Sequence, residues 1–244
     1  MEIQNRKHFL LKITPLLILL LGLLAFFYFR LYEHMTLDSL KAHRAFLLSW
    51  TQKHYFVSSA IFIGIYIFMV AISAPSASLL TILGGFLFGP VFGTIYVVIS
   101  ASIGATIIFI AAKTAFYDFF HTKAKGFLKK MAAGFQKNAV SYLLFLRLVP
   151  LFPFWLINIV PAFFGVRIKT FFLTTLFGVL PGTMVYVLLG NGMGTILDQG
   201  KELNMGVIFK PAILIPIVGL AILALVPIVY KKFKKTTGTK HHSV

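Results

Sequence analysis

Long apolar runs separated by short polar segments dominate the chain. Five of these runs can cross a bilayer as helices, since about 20 predominantly apolar residues span its hydrocarbon core. They cover residues 13–29, 55–74, 94–112, 170–189 and 207–229. The pattern predicts an all-α integral membrane protein with about five spanning helices.

Two further apolar stretches, residues 75–93 and 141–165, are interrupted by proline and glycine. A straight helix through such residues is costly, and non-helical backbone at membrane depth is tolerated only inside protein or beside water. We therefore predict two re-entrant hairpins, the first turning near Gly84 and Gly85. The residues expected to shape the hairpins and the helix after them are Pro75, Gly84, Gly85, Gly89, Pro90, Gly93, Pro150, Pro153, Gly165, Pro181 and Gly182.

The two interrupted stretches match each other in length. Pro75 and Gly89 are 14 residues apart, and Pro150 and Gly165 are 15 apart. One clear crossing lies between them, so the second hairpin enters from the opposite face. This predicts an inverted repeat with two facing hairpins, the architecture of many secondary transporters. The alternative is that proline and glycine simply occur within ordinary spanning helices.

The polar segments suit the membrane surface and suggest three regions. Residues 36–54 predict an amphipathic helix at the interface, and residues 113–138 carry six lysines among apolar side chains. We divide the chain into an N-terminal region (1–54), a core (55–190) and a C-terminal region (191–244) with a loop, a last span and a basic tail.

Composition excludes a soluble domain. The chain is 59% hydrophobic and only 12% charged, with a mean hydropathy of +0.91. Its net charge of +17 lies in short segments between apolar runs, which is typical of cytoplasmic loops and not of a nucleic-acid-binding domain.

The charge distribution also bears on orientation. It favours a cytoplasmic C-terminus. The basic residues before the first helix favour a cytoplasmic N-terminus too, but five crossings would put the two ends of the chain on opposite sides of the membrane. With no organelle signal, we expect the cell membrane, or a Golgi-type membrane if the source is eukaryotic.

The sequence contains few residues of the kinds that enzymes use for catalysis. There is no cysteine, and the six acidic residues all lie outside the strongly apolar runs. No histidine pair has the spacing of a metal site. We expect no metal, no cofactor and no catalytic activity.

Arg147 is the most informative single residue, because it stands inside an apolar run. A buried arginine costs about 2.5–3.5 kcal/mol on insertion scales, and its forked guanidinium suits phosphate. We expect Arg147, Ser76, Ser78 and Asn158 to line a path for a lipid headgroup or substrate. The alternatives for Arg147 are reaching to the headgroup layer or binding hairpin carbonyls. Basic residues expected to anchor the protein at the interface are Arg167, Lys169, Lys231 and Lys232.

Several motifs resemble the DedA/VTT-domain superfamily, and most closely its bacterial branch of SNARE-associated Golgi (Tvp-type) membrane proteins. They are GGFLFGPVFGT (84–94), FLRLVPLFPFWLIN (145–158), FFGVRIKTF (163–171) and GVLPGTMVYVLLG (178–190). The resemblance implies two facing re-entrant hairpins and lipid movement across the bilayer, as phospholipid scrambling or recycling of an isoprenoid phosphate carrier. DedA carrier-lipid translocases have acidic residues at the first hairpin, whereas residues 70–80 here contain Ser73, Ser76 and Ser78 and no acid. Proton coupling at that place is therefore in doubt.

The sequence thus predicts a lipid transporter whose partners are membrane lipids with anionic headgroups. The rival hypotheses are a proton- or ion-coupled transporter of a small solute and a membrane scaffold that transports nothing. A homo-oligomer stays open.

Overall fold

The computed structural model describes residues 2–75, 77–123, 135–149, 152–192 and seven positions between 211 and 225. These residues form helices joined by short turns, and no strand occurs among them. Apart from the isolated helical positions after residue 210, the helices are α1 (Glu2–Tyr28), α2 (Leu31–His34), α3 (Leu37–Ala42), α4 (Arg44–Lys53), α5 (Tyr55–Ala71), α6 (Ala77–Lys123), α7 (Ala139–Leu148), α8 (Phe154–Phe163) and α9 (Ile168–Asn191). The prediction of an all-α membrane protein is confirmed.

The helix α6 reverses direction at Gly89. This glycine has a φ of 74°, a left-handed conformation that suits glycine, and it divides α6 into α6a (77–88) and α6b (90–123). A Cβ on Gly93 would lie only 2.7 Å from the carbonyl oxygen of Gly84. In a straight helix these two residues would be about 13 Å apart along the axis. The two parts of α6 therefore pack against each other, with glycines at the contact.

The first re-entrant hairpin consists of α5 and α6a. Its open end brings the ring of Tyr55 to 5.9 Å from that of Phe88. Its tip, which includes residues 72–75, contains Ser73 in a left-handed conformation and the exposed Pro75. Ile72 at the tip contacts Gly22 of α1. Since Gly22 lies well inside the apolar part of α1, the tip lies at membrane depth.

This arrangement corrects the position predicted for the first hairpin. The predicted turn near Gly84 and Gly85 is wrong, because both residues lie inside α6a and the chain leaves α5 after Ala71 to turn at residues 72–75. The predicted span 55–74 is the hairpin's first limb. Gly89, Pro90 and Gly93 form the corner that connects the returning limb to α6b. Gly84 and Gly85 allow close packing of α6a against its neighbours. A glycine pair in an apolar run indicates a packing contact as well as it indicates a turn, so the sequence alone does not distinguish the two.

The second re-entrant hairpin is where the sequence predicts it. Its limbs are α7 and α8, and at its open end Gln136 Nε2 donates a hydrogen bond of 2.8 Å to the carbonyl of Phe164. Pro153 is the N-cap of α8, and Gly165, with a φ of 68°, directs the chain into α9. Pro150 lies outside the described residues.

Two antiparallel helices, α6b and α9, cross beside the hairpins. Phe109 of α6b stacks on Phe171 of α9 at 4.2 Å near one end of the pair. Near the other end, the backbone of Val187 in α9 contacts Gly85 of α6a, which itself packs on Gly93 at the start of α6b. Ala77–Phe116 and Ile168–Asn191 are the described helices long and apolar enough to span a membrane, and a third span results if α4 and α5, bent by 118°, count as one. Pro181 and Gly182 lie inside the continuous α9 and do not break it.

The two halves of the core repeat one pattern in opposite directions. Each has a helix, a tip containing proline, a short helix that ends just before a left-handed glycine, and a long helix. The end of α9 packs on α6a through Gly190 and Ile82, and the end of α6b packs on α8, with Phe116 5.1 Å from Phe163. This reciprocal packing confirms the inverted repeat and the two facing hairpins.

The ends of the long helices define two faces. We call the basic face the end where Lys12, Lys113, Lys137, Arg167 and Lys169 lie. The opposite face carries the open end of the first hairpin, Gly89 and the end of α9, together with α2, α3 and α4. Of these short helices, α3 and α4 lie within the predicted interfacial segment 36–54. Residues 124–134 of the predicted surface segment 113–138, and most of the predicted span 207–229, lie outside the described residues.

Candidate functional site

Arg147 lies in the last turn of α7, next to the tip of the second hairpin. The helix carries it inward from the basic face, so its guanidinium is at membrane depth. Its Nε atom is buried and has no hydrogen-bond partner among the described residues. Arg147 therefore does not reach the headgroup layer.

Asn158 of α8 is the polar partner of Arg147 across the hairpin. It is fully buried, and its Oδ1 accepts hydrogen bonds of 3.3 Å from both Nη1 and Nη2 of Arg147. These distances exceed the usual 2.9–3.0 Å, so the bonds are weak. The Nδ2 of Asn158 is buried without a partner. The described hydrogen bonds of the guanidinium are therefore those to the Asn158 side chain.

Aromatic rings and one glycine complete the surroundings of Arg147. The guanidinium carbon lies 4.9 Å from the ring centre of Phe171 and 5.6 Å from that of Phe154. The aliphatic part of the side chain packs on Gly178, where a Cβ would come within 2.9 Å of the Cβ of Arg147. Rings stabilise the cation through their faces but supply no counter-charge.

The charge of Arg147 has no acidic partner in this part of the chain. The sequence contains no Asp or Glu between Asp118 and Asp198, nor between Asp38 and Asp118. A buried donor without an acceptor costs about 1–3 kcal/mol, and more when charged. A site with two weak bonds, a free Nε–H and a free amide N–H is suited to accept an anionic, oxygen-rich group.

A small cavity separates the tips of the two hairpins. It has a volume of about 240 Å³ and is lined on one side by the first tip and on the other by Phe154 and Trp155. Ser78, exposed at the start of α6a, lines it together with Ser73. The Ser73 hydroxyl is buried without a partner. Phe154 stands between this cavity and the Arg147 guanidinium.

An apolar groove adjoins the tip cavity. It has a volume of about 480 Å³ and runs between α1 and the hairpin tips, with leucines of α1 on one wall. Ser73, Pro75 and Trp155 line both the groove and the cavity. The two spaces therefore adjoin each other beside the tips of the hairpins.

The structure brings together only some of the predicted path residues. Arg147 and Asn158 are in direct contact, Ser78 lies beyond Phe154, and Ser76 falls outside the described residues. Sequence reasoning missed Phe154 and Gly178 as neighbours of Arg147. A glycine one position beyond a phenylalanine in an apolar helix is too common to indicate such a contact.

The predicted interface anchors are partly visible. Arg167 and Lys169 are exposed at the basic face, and Lys113 Nζ donates a hydrogen bond of 2.8 Å to the carbonyl of Val166 nearby. Lys231 and Lys232 lie outside the described residues.

Comparisons with known proteins match the same core. The VTT domain model matches residues 74–192. This range begins inside the tip of the first hairpin and contains the second hairpin and the long helices α6b and α9. The chain is 31% identical to a Caenorhabditis elegans "Transmembrane protein 41 homolog" over 194 residues, which is 78% of this chain and 76% of that protein. The chain belongs to the VTT-domain family. The resemblance to the DedA/VTT superfamily is thereby confirmed.

Other relatives of this VTT-domain protein are similar at the same level. A Dictyostelium discoideum "Transmembrane protein 41 homolog" is 30% identical over 193 residues, and human "Transmembrane protein 41B" is 25% identical over 200 residues. The matches cover 77% and 80% of this chain but only 56% and 66% of those proteins. No solved structure matches the chain significantly.

Proposed function

We propose that this VTT-domain protein moves phospholipids between the two leaflets of the bilayer. The observation that carries the proposal is Arg147, a cation at membrane depth whose Nε–H has no partner, and whose charge has no acidic partner, among the described residues. In this hypothesis the headgroup phosphate replaces the weak contact with Asn158 and neutralises the guanidinium. The lipid tails stay in the bilayer beside the groove.

The two connected spaces supply the route. The acyl chains fit the apolar groove along α1, and the headgroup fits the tip cavity with the hydroxyls of Ser73 and Ser78. Phe154 separates this cavity from Arg147, so its ring has to turn aside as the phosphate passes. A polar route flanked by an apolar opening allows a lipid to cross without exposing its charge to hydrocarbon.

The mechanism we favour is energy-independent scrambling. The hairpins and the long helices up to residue 117 contain no Asp or Glu that could carry a proton through the membrane. Proton- or ion-coupled transport of a solute is the competing mechanism. It differs in requiring a gradient, whereas scrambling proceeds without one.

The test is scrambling by the purified protein in liposomes that contain a fluorescent phospholipid. Dithionite added outside bleaches about half the fluorescence of intact vesicles, because only the outer leaflet is reached. With active protein we expect bleaching to approach completion, without any ion gradient. Bleaching that stops at the value of protein-free vesicles contradicts scrambling, and flux that appears only with a proton gradient favours the coupled mechanism.

We also propose that the basic face lies in the cytoplasm, in a membrane such as the cell membrane whose cytoplasmic leaflet is anionic. The segment 113–138, which begins and ends at this face, contains six lysines. Because α5 is a hairpin limb and not a crossing, this orientation also puts Lys12 and the start of α1 inside. It resolves the conflict between the two ends of the chain, and the C-terminus is expected on the same side.

Single cysteines can test the orientation, since the chain has none of its own. Lys53→Cys and Lys169→Cys place exposed thiols at the opposite and the basic face, respectively. We expect a membrane-impermeant maleimide added to intact cells to label only Lys53→Cys, and both variants after permeabilisation. Labelling of Lys169→Cys alone in intact cells would invert the orientation.

The substitution Asn158→Asp tests whether transport requires an Arg147 guanidinium that is not paired with a carboxylate. The new carboxylate would form a buried ion pair with Arg147 and compete with phosphate for its donors. We expect a folded protein whose scrambling rate falls about tenfold, which corresponds to about 1.4 kcal/mol. An Asn158→Asp protein that scrambles as fast as the wild type would show that the guanidinium does not bind the moving phosphate.

A further inference from the structure

A second polar space lies at the basic face, outside the route through Arg147. It has a volume of about 620 Å³ and sits where α7 and α9 begin. This size is within the range of small-molecule sites, about 300–1,000 Å³. Its polar lining residues are Gln136, Lys137, Asn138, Ser141, Arg167 and Thr170. We call it the basal cavity.

The basal cavity is positively charged. Lys137 and Arg167 both line it, and no Asp or Glu is among its lining residues. Both side chains are exposed. A concave, uniformly positive surface attracts anions more strongly than isolated lysines do.

A serine of low exposure lies in the wall of the basal cavity. Ser141 is only 9% exposed and makes no hydrogen bond with the described residues. Other buried hydroxyls in the helices, such as those of Ser102 and Thr174, donate to a carbonyl one turn earlier. Ser141 therefore has a donor available to whatever fills the cavity.

The backbone adds further donors on the same side. Asn138 and Arg167 are the N-caps of α7 and α9, and neither side chain caps its helix. The N-cap side chains therefore do not satisfy the first N–H groups of these helices, which lie at the positive ends of the helix dipoles. The adjoining wall is held in place by the hydrogen bond from Gln136 to Phe164.

We propose that the basal cavity binds the phosphate of an anionic lipid headgroup at the membrane surface. The lipid would lie beside the open end of the second hairpin. Along α7, Ser141 is six residues from Arg147, or about 9 Å. This inference adds a surface site to the proposed function but does not depend on scrambling. Free inorganic phosphate shares the recognition chemistry, and it fills much less of the volume.

Calorimetric titration of the full-length protein in a neutral detergent tests the site. The probes are dioctanoyl phosphatidylglycerol, dioctanoyl phosphatidylcholine and inorganic phosphate. We expect the anionic lipid to bind more tightly than the zwitterionic lipid or the free ion. Phosphate binding as tight as that of the anionic lipid would overturn the assignment to a headgroup, and absence of any binding would overturn the site itself.

Matched variants locate the binding. Arg167→Gln is expected to weaken the affinity for phosphatidylglycerol about tenfold, the loss expected from one charge-assisted contact. Ser141→Ala, which removes only the hydroxyl group, is expected to weaken it as well. Lys169→Gln removes the same charge two residues away, outside the cavity lining, and should change the affinity less than about twofold. Equal losses in Arg167→Gln and Lys169→Gln would indicate general surface attraction and contradict the proposal.

A variant of the inner site separates the two proposals. Arg147→Met should bind phosphatidylglycerol at the basal cavity as tightly as the wild type, whether or not it scrambles. Loss of calorimetric binding in Arg147→Met would assign the binding to the inner route and overturn the basal site. Intact binding in a wild-type protein that does not scramble would leave the basal site standing and contradict only the proposed transport.

Discussion

Replacing Arg147 with methionine is expected to reduce lipid scrambling to the level of protein-free liposomes. Methionine keeps an unbranched side chain that can pack on Gly178 but removes the charge and every donor. Two charge-assisted hydrogen bonds to a phosphate contribute about 1.5–3 kcal/mol each, so their loss slows transport at least about 100-fold. The variant should still fold, because the cost of burying the guanidinium disappears with it. The measurement is the dithionite assay, with a thermal unfolding curve of the same preparation.

Two further substitutions make the Arg147 result specific. Arg147→Lys keeps the charge but loses the planar fork and is expected to retain partial activity. Lys53→Met removes an exposed charge at the opposite face and should leave the rate unchanged. If Arg147→Met scrambles like the wild type while remaining folded, the phosphate does not cross at Arg147. If Lys53→Met is equally inactive, the loss reflects net charge and not this site.

The pairing of Arg147 with Asn158 shows what the sequence could and could not provide. Each residue is a polar position inside an apolar run, so each could be recognised by itself. Their contact depends on how α7 and α8 fold back on each other, which is set at a tip whose geometry no local pattern determines. The sequence could not single out Phe154 for a similar reason, since the chain contains 27 phenylalanines. Its proposed role follows only from its position next to both the tip cavity and the guanidinium.

The two hairpins differed in how well they could be predicted. In the second, Pro150 and Pro153 interrupt an apolar run and mark the tip directly. In the first, residues 55–74 are as apolar and as long as a span, and only Pro75 marks the turn. The Gly84–Gly85 pair drew the prediction away from it, because glycine serves both turns and close packing. The three-dimensional contact with α9 decides between these two uses.

The largest effect on stability is expected at this contact between α6a and α9. A Cβ added to Gly85 would overlap the backbone carbonyl of Val187, and one added to Gly190 would overlap that of Ile82. Backbone carbonyls cannot turn aside as side chains do, so the two helices would have to separate. Overpacking usually costs about 1–3 kcal/mol, and a clash with backbone lies at or above the upper end of that range. We therefore expect Gly85→Ala and Gly190→Ala each to lower the unfolding temperature strongly or to prevent recovery of folded protein.

Gly64 supplies the matched control, because it lies inside α5 and a Cβ there meets no atom within 4 Å. Alanine is about 1 kcal/mol better than glycine in a helix interior, so Gly64→Ala should be neutral or stabilising. Thermal unfolding of the three purified variants in the same detergent compares them directly. Similar curves for Gly85→Ala and Gly64→Ala would contradict the close packing of α6a on α9. Because Gly85 and Gly190 lie on different helices of one contact, the double variant should cost less than the two single losses added. That non-additivity would distinguish separation of the helix pair from two unrelated defects, and so would test the reciprocal packing on which the inverted repeat rests.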